Sequence, residues 1–172
     1  MSYQYLKSEP APKILVEALK LLGTKEVLGK ENNPKILAWA DDLGLKQYNS
    51  DEIPWCGLFM AYVCHKAGKP VIKDGLRARN WLNWGVKEIV AMLGDVLVFE
   101  RGAVNGHVGI YVGEDAKCYH VLGGNQGDEV SIKKIVKTRC IGIRRTKWSI
   151  SQPESVRQIF VETNGTISEN EV

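Results

Sequence analysis

The chain of 172 residues lacks an apolar run of membrane-spanning length: the longest, Trp55 to Cys64, is ten residues and contains a glycine, against the ~20 that a spanning helix needs. No integral membrane segment is expected. The opening Met1-Ser2-Tyr3-Gln4-Tyr5 has no basic leader followed by an apolar core, so no signal peptide is expected and synthesis is placed in the cytoplasm. No pair of the four cysteines shows metal-ligand or Cys-x-x-Cys spacing, which argues against zinc. Cys56 and Cys64 are separated by about 12 Å of helical rise, too far to bridge. Cys118 and Cys140, on separate strand-like segments, are read as reduced, buried thiols. Asp41, Asp42, Asp51 and Glu52 lack the close Asp-x-Asp spacing with glycine that a calcium loop requires. No metal or cofactor is expected, and the absence of a dense Lys/Arg run with interleaved aromatics argues against a nucleic-acid partner.

What is present is enough apolar material, 44% of residues, for one proper core. Residues 1–148 read as a single domain and 149–172 as a polar tail, an ordered strap or a flexible end, with the protein acting as a monomer. The net charge is +3 and uneven: the tail holds one Arg against four Glu, leaving 22 basic and 16 acidic residues, hence +6, on the body. A modestly basic body suits an anionic target, although ordinary solvation accounts for it as well.

Two residues carry the chemistry. Cys56 heads an apolar helix in Pro54-Trp55-Cys56-Gly57-Leu58-Phe59-Met60-Ala61-Tyr62-Val63, where unpaired backbone N–H groups favour a thiolate by about 0.3–1 kcal/mol. Pro54, with Asp51 and Glu52 before it, suits a helix opening. Residues 56, 60, 63, 64 and 67 share one face, so the thiol heads a buried stripe that Gly68 ends. About fifty residues later His107 opens a strand in which His107, Gly109 and Tyr111 alternate with Val108, Ile110 and Val112. Its pKa range suits a proton acceptor for the thiol, and Gly109 predicts close approach of another backbone or a substrate.

Helices are expected over Ile14–Leu22, from the Asn33-Pro34 cap to Gly44, from Cys56 to Gly68, and over Ala78–Trp84. After Gly94 the pattern changes to strands: 95–100, 107–112, 118–122, 129–132 and 139–145, read as an antiparallel meander. Helices first and strands later give an α+β domain, the helices packed on a small curved antiparallel sheet. Trp55, Trp81 and Trp84 are candidates for a glycan or peptide groove, with core packing preferred for at least two. Asn164-Gly165-Thr166 fits a glycosylation sequon, without meaning in the absence of an export signal.

Trp55-Cys56 at a helix head, Gly94-Asp95-Val96-Leu97-Val98-Phe99 before Gly106-His107-Val108-Gly109, and then Leu122-Gly123-Gly124-Asn125-Gln126 together resemble the papain-like cell-wall hydrolases of the CHAP and NlpC group, phage-associated lysins in particular. The resemblance spans about residues 10–148. It implies a papain-like fold and a cysteine peptidase or N-acetylmuramoyl-L-alanine amidase-type enzyme acting on peptidoglycan after release from the cytoplasm, with Cys56 as nucleophile and His107 as base. The third member stays open between Asn125, where the CHAP-like pattern carries it and which is preferred, and His120, where the NlpC-like pattern has a strand histidine. Pairing His107 with Leu122 would put His120 on the catalytic side; a slip to Gly123 would turn it away. Other classes in play are a papain-like acyltransferase or deamidase toxin with a protein substrate, and a catalytically silent wall-binding relative.

Overall fold

The computed structural model describes residues 3–8, 10–27, 29, 31–148, 151–161 and 167–168. Four α-helices come first, α1 (Tyr5–Ser8), α2 (Lys13–Leu19), α3 (Pro34–Asp42) and α4 (Cys56–Lys66), followed by a 3-10 helix over Ala78–Asn83. Six strands follow: β1 (Val86–Glu88), β2 (Val96–Arg101), β3 (Asn105–Glu114), β4 (Cys118–Gly123), β5 (Ser131–Val136) and β6 (Cys140–Arg145). The chain is thus a mixed α+β protein with a six-stranded antiparallel sheet. Among the described residues no helix is long and apolar enough to cross a membrane.

Local chemistry accounts for the helix limits. Asn33 caps α3 by accepting the Lys35 N–H at 2.8 Å, with Pro34 in the first helical position. α4 differs from its expected single buried stripe. Gly57, Leu58, Phe59 and Ala61 are buried as well as Cys56, Met60, Val63 and Cys64, because α2 and α3 cover the side that the sheet does not. Asp51 is not a helix-start acid. Its carboxylate is fully buried and accepts the Asn33 N–H at 2.7 Å and the Val27 N–H at 3.1 Å, tying the segment before α4 to the segment before α3.

The strand order β1-β6-β2-β3-β4-β5 corrects the meander. Strands β2 to β5 do follow one another, but β6 returns to pair with β2 on its far side. In a flat sheet β5 and β6 would stand four spacings apart, about 19 Å, whereas the four residue steps from Val136 to Cys140 reach at most about 14 Å. The sheet must therefore curl. Inside the curl lies a small core of Leu97, Phe99, Tyr111, Val121, Ile135 and Ile143. On the outer face Val96, Val98, Val108, Ile110 and Leu122 join the main core beneath the helices. Residues 151–161 of the tail strap this body: Arg157 and Ile159 carbonyls accept the Leu93 and Glu114 N–H groups at 2.9 and 2.8 Å, and Val156 and Ile159 are buried. The sequon at 164–166 lies outside the described residues.

One ion pair holds the return strand. Arg145, at the end of β6, makes a two-pronged contact with Asp95, just before β2, with both N–H···O distances 2.8 Å. Asp95 also accepts the Met92 N–H at 2.8 Å, and both charged residues are buried. Removing one partner strands the other charge in the interior. Arg145→Met is expected to lower stability by about 3–5 kcal/mol in urea unfolding; a loss below about 1 kcal/mol would mean that the pair does not hold β6.

Candidate active site

Cys56, His107 and Asn125 line one cleft of about 540 Å³, walled on one side by residues 76–80 and on the other by the turn between β2 and β3. The start of α4 supplies Cys56. Its N-cap is Trp55, which makes no side-chain capping bond, so the first-turn N–H groups stay available to the cleft. The wall comes very close to this helix: a Cβ on Gly57 would lie 2.3 Å from the Leu76 carbonyl oxygen. Trp81 and Trp84 fix the same wall, donating their indole N–H groups to Gly75 O at 2.8 Å and Pro70 O at 2.9 Å. Trp55 donates to Glu26 at 3.0 Å. All three tryptophans are buried, so they pack the core and none offers its face to a groove.

His107 stands opposite Phe99 across β2–β3. Phe99 belongs to the inner core of the curl, while α4 rests on the other face with Val108. The cysteine and histidine therefore line the cleft at the rim of the sheet, where β3 begins, and not across its face. The gap left by Gly109 is filled by the partner strand, since a Cβ there would meet a Val121 methyl at 2.5 Å and Leu122 O at 2.9 Å.

The register of β3–β4 is neither of the two expected. Leu122 faces Ile110, and a bulge after Tyr111 sets His120 opposite Gly113. Six residues of strand separate Gly113 from His107, about 20 Å. His120 is bound there by Tyr3 Oη at 3.1 Å and Asp115 Oδ2 at 3.2 Å, and burial holds its pKa below the ordinary histidine value. It takes no part in the cleft.

The side chain that reaches the histidine is Gln126, one residue beyond Asn125. Gln126 Oε1 lies 3.0 Å from His107 Nε2, and both residues are buried. The Gln126 amide nitrogen donates to two backbone carbonyls, Val121 O at 3.1 Å and Ser131 O at 2.6 Å. Both of its hydrogens are thereby spent, and Oε1, an acceptor, is the atom left to face the ring. In this contact His107 Nε2 is the donor. The glycines make room: a Cβ on Gly123 would sit 3.0 Å from Gln126 Oε1 and 3.1 Å from His107 Nε2, and one on Gly124 would sit 2.6 Å from Phe59 Cβ. Asn125 adopts a left-handed conformation at φ 56°, tolerable for Asn. Its Oδ1 is buried without a hydrogen-bond partner.

The thiol feels opposing influences. Burial pushes the Cys56 pKa up, and this outweighs the backbone N–H groups of Val108 and Gly57 and the charge of Arg101, which pull it down. All four cysteines are free. Burial pushes Cys64 up to about 12 and Cys140 to about 11. Among the described residues no group of three or more His, Cys, Asp or Glu stands ready to hold a metal.

Two outcomes follow from this geometry. Nitrogen NMR of the imidazole is expected to show Nε2 protonated in His107 at neutral pH, with the Nδ1–H form gaining population in Gln126→Ala; an Nδ1–H ring in the parent protein would overturn the assignment. Alkylation of Cys56 by iodoacetamide, with the modified cysteine identified by peptide mass, is expected to rise with pH through a midpoint above the ordinary cysteine range. A midpoint near neutrality would show that burial does not dominate. No protein-family model matches the chain, and no curated protein matches it.

Proposed function

We propose that this protein is a cysteine peptidase or amidase of the papain-like CHAP and NlpC type, a phage or prophage lysin that cuts an amide bond in the stem peptide or cross-bridge of peptidoglycan. The observation that carries the reading is the His107–Gln126 contact in a cleft shared with Cys56. With Nε2 donating to an acceptor-only oxygen, Nδ1 is assigned as the base, and a thiol and a base that line one cleft form an acyl-transfer pair. A purely structural or wall-binding role gives no reason to hold a buried histidine in one tautomer beside a cysteine.

The proposed reaction runs in two halves. Cys56 Sγ attacks the amide carbonyl as its proton passes to His107 Nδ1, so an elevated thiol pKa in the resting cleft is compatible with attack assisted by the base. The developing oxyanion faces the uncapped N–H groups at the start of α4. Collapse breaks the C–N bond, and the departing amine takes the proton from His107. Water, deprotonated by His107, then hydrolyses the thioester and returns the thiol. Asn125 lines the same cleft, with its Oδ1 buried and unpartnered. Gln126 acts through His107 and is a positioning residue.

Digestion of purified sacculi with mass spectrometry of the fragments tests this. The parent protein is expected to release peptides whose new ends name the bond, and Cys56→Ala to be slower by on the order of 10³-fold or more. Intact sacculi after treatment with a protein whose Cys56 still alkylates would sink the wall-hydrolase reading and bring a protein substrate forward.

A further inference from the structure

The charged side chains lining the cleft are of one sign. Arg77, Arg79 and Arg101 surround Cys56, His107 and Asn125, and the lining includes neither Asp nor Glu. In a protein with 23 basic and 20 acidic residues, three cations in the cleft lining without an acid among them form a separate feature. Among the described residues none of the three takes part in an ion pair with an acidic side chain. Arg79 has its donors engaged, Nε to Asn105 O at 2.8 Å and Nη2 to Gly102 O at 2.8 Å, and so braces the turn between β2 and β3. Arg77, exposed on the wall before the 3-10 helix, and Arg101, half-buried at the end of β2, face the cleft from its two sides. The charge of Arg101 is felt at the Cys56 sulfur itself.

We infer that the cleft selects a substrate carrying a carboxylate beside the scissile amide, received by Arg77 and Arg101; this rests on the acyl-transfer reading above. Guanidinium groups bind a carboxylate through paired, charge-assisted N–H bonds and never lose their charge, which suits them to a fixed anion site. A nucleic-acid backbone would also meet the arginines. The cleft lining, however, contains no Phe, Tyr or Trp, so it lacks the aromatic faces on which single-stranded bases stack. The rest of its lining mixes apolar residues, Ile53, Pro54, Leu76 and Val104 among them, with the amides of Asn80 and Asn105, which fits a short peptide. The substrate class is accordingly an acidic peptide in which the residue flanking the cut has a free carboxylate in place of a carboxamide.

The test uses the full chain and two reagents of similar size that differ in charge. Rates of Cys56 alkylation by iodoacetate and by iodoacetamide are measured by peptide mass, in parallel with a free thiol, at low and high salt. The expected result is an iodoacetate-to-iodoacetamide ratio at Cys56 about tenfold or more above that of the free thiol, reduced by salt and reduced again in Arg77→Gln and Arg101→Gln. Arg77 is exposed, so its variant remains informative if Arg101→Gln fails to fold. A ratio equal to that of the free thiol and indifferent to both substitutions would overturn the inference. Synthetic stem-peptide pairs, carboxylate against carboxamide at the flanking residue, supply the second measurement. Preferential cleavage of the acid, lost in the arginine variants, supports the inference, and equal cleavage of both overturns it. A raised alkylation ratio with neither peptide cut would keep the anion site and count against the hydrolase reading, so the two failures are distinct.

Discussion

The hydrogen-bond bookkeeping of one buried amide constrains the candidate site. Gln126 has two hydrogens and two carbonyls to receive them, Val121 O and Ser131 O, so its oxygen has no freedom to exchange places with its nitrogen. That oxygen forces the proton of His107 onto Nε2. The consequence reaches outward. The loop between β4 and β5 must pass close enough to β3 for the contact, so that a Cβ at Gly123 would crowd Gln126 and His107, and it must lie against α4, which leaves no room for one at Gly124. A buried polar group of this kind costs about 1–3 kcal/mol when unpaired, so the arrangement is favoured only when every partner is present.

The sulfur shows which of two effects is larger. A helix start favours a thiolate by about 0.3–1 kcal/mol, less than one pK unit, whereas full burial shifts a titrating group by up to about 3–5 units. Burial wins at Cys56, so the helix start does not keep the resting thiol ionised.

Much of the frame was legible in the residues. Asn33-Pro34 marks a helix start by its own chemistry, Cys56 to Lys66 forms the expected helix, and the alternation around His107 places Val108, Ile110 and Val112 on one face. Period alone did not show which face meets α4, because Cys56 and His107 line a cleft at the rim of the sheet. The pairing of β3 with β4 was hidden by a bulge after Tyr111, which no residue type announces. Within Gly123-Gly124-Asn125-Gln126, two adjacent amides compete for one histidine. Asn125 takes up a left-handed turn, and the longer Gln126 side chain reaches His107. A signal was available: Ser131 and Val121 carbonyls at a hairpin neck suit an amide with two hydrogens to give. The curl of the sheet follows from the three residues between β5 and β6, and becomes legible only once β6 is known to return beside β2.

The depth of Cys56 has a bearing on its durability. Peroxide converts cysteine to sulfenic acid by way of the thiolate, and exposed thiols of low pKa are the ones that oxidants find first. A sulfur that is buried and kept protonated between encounters is poor prey for oxidants. The depth that raises the pKa of this thiol also shields it from oxidation.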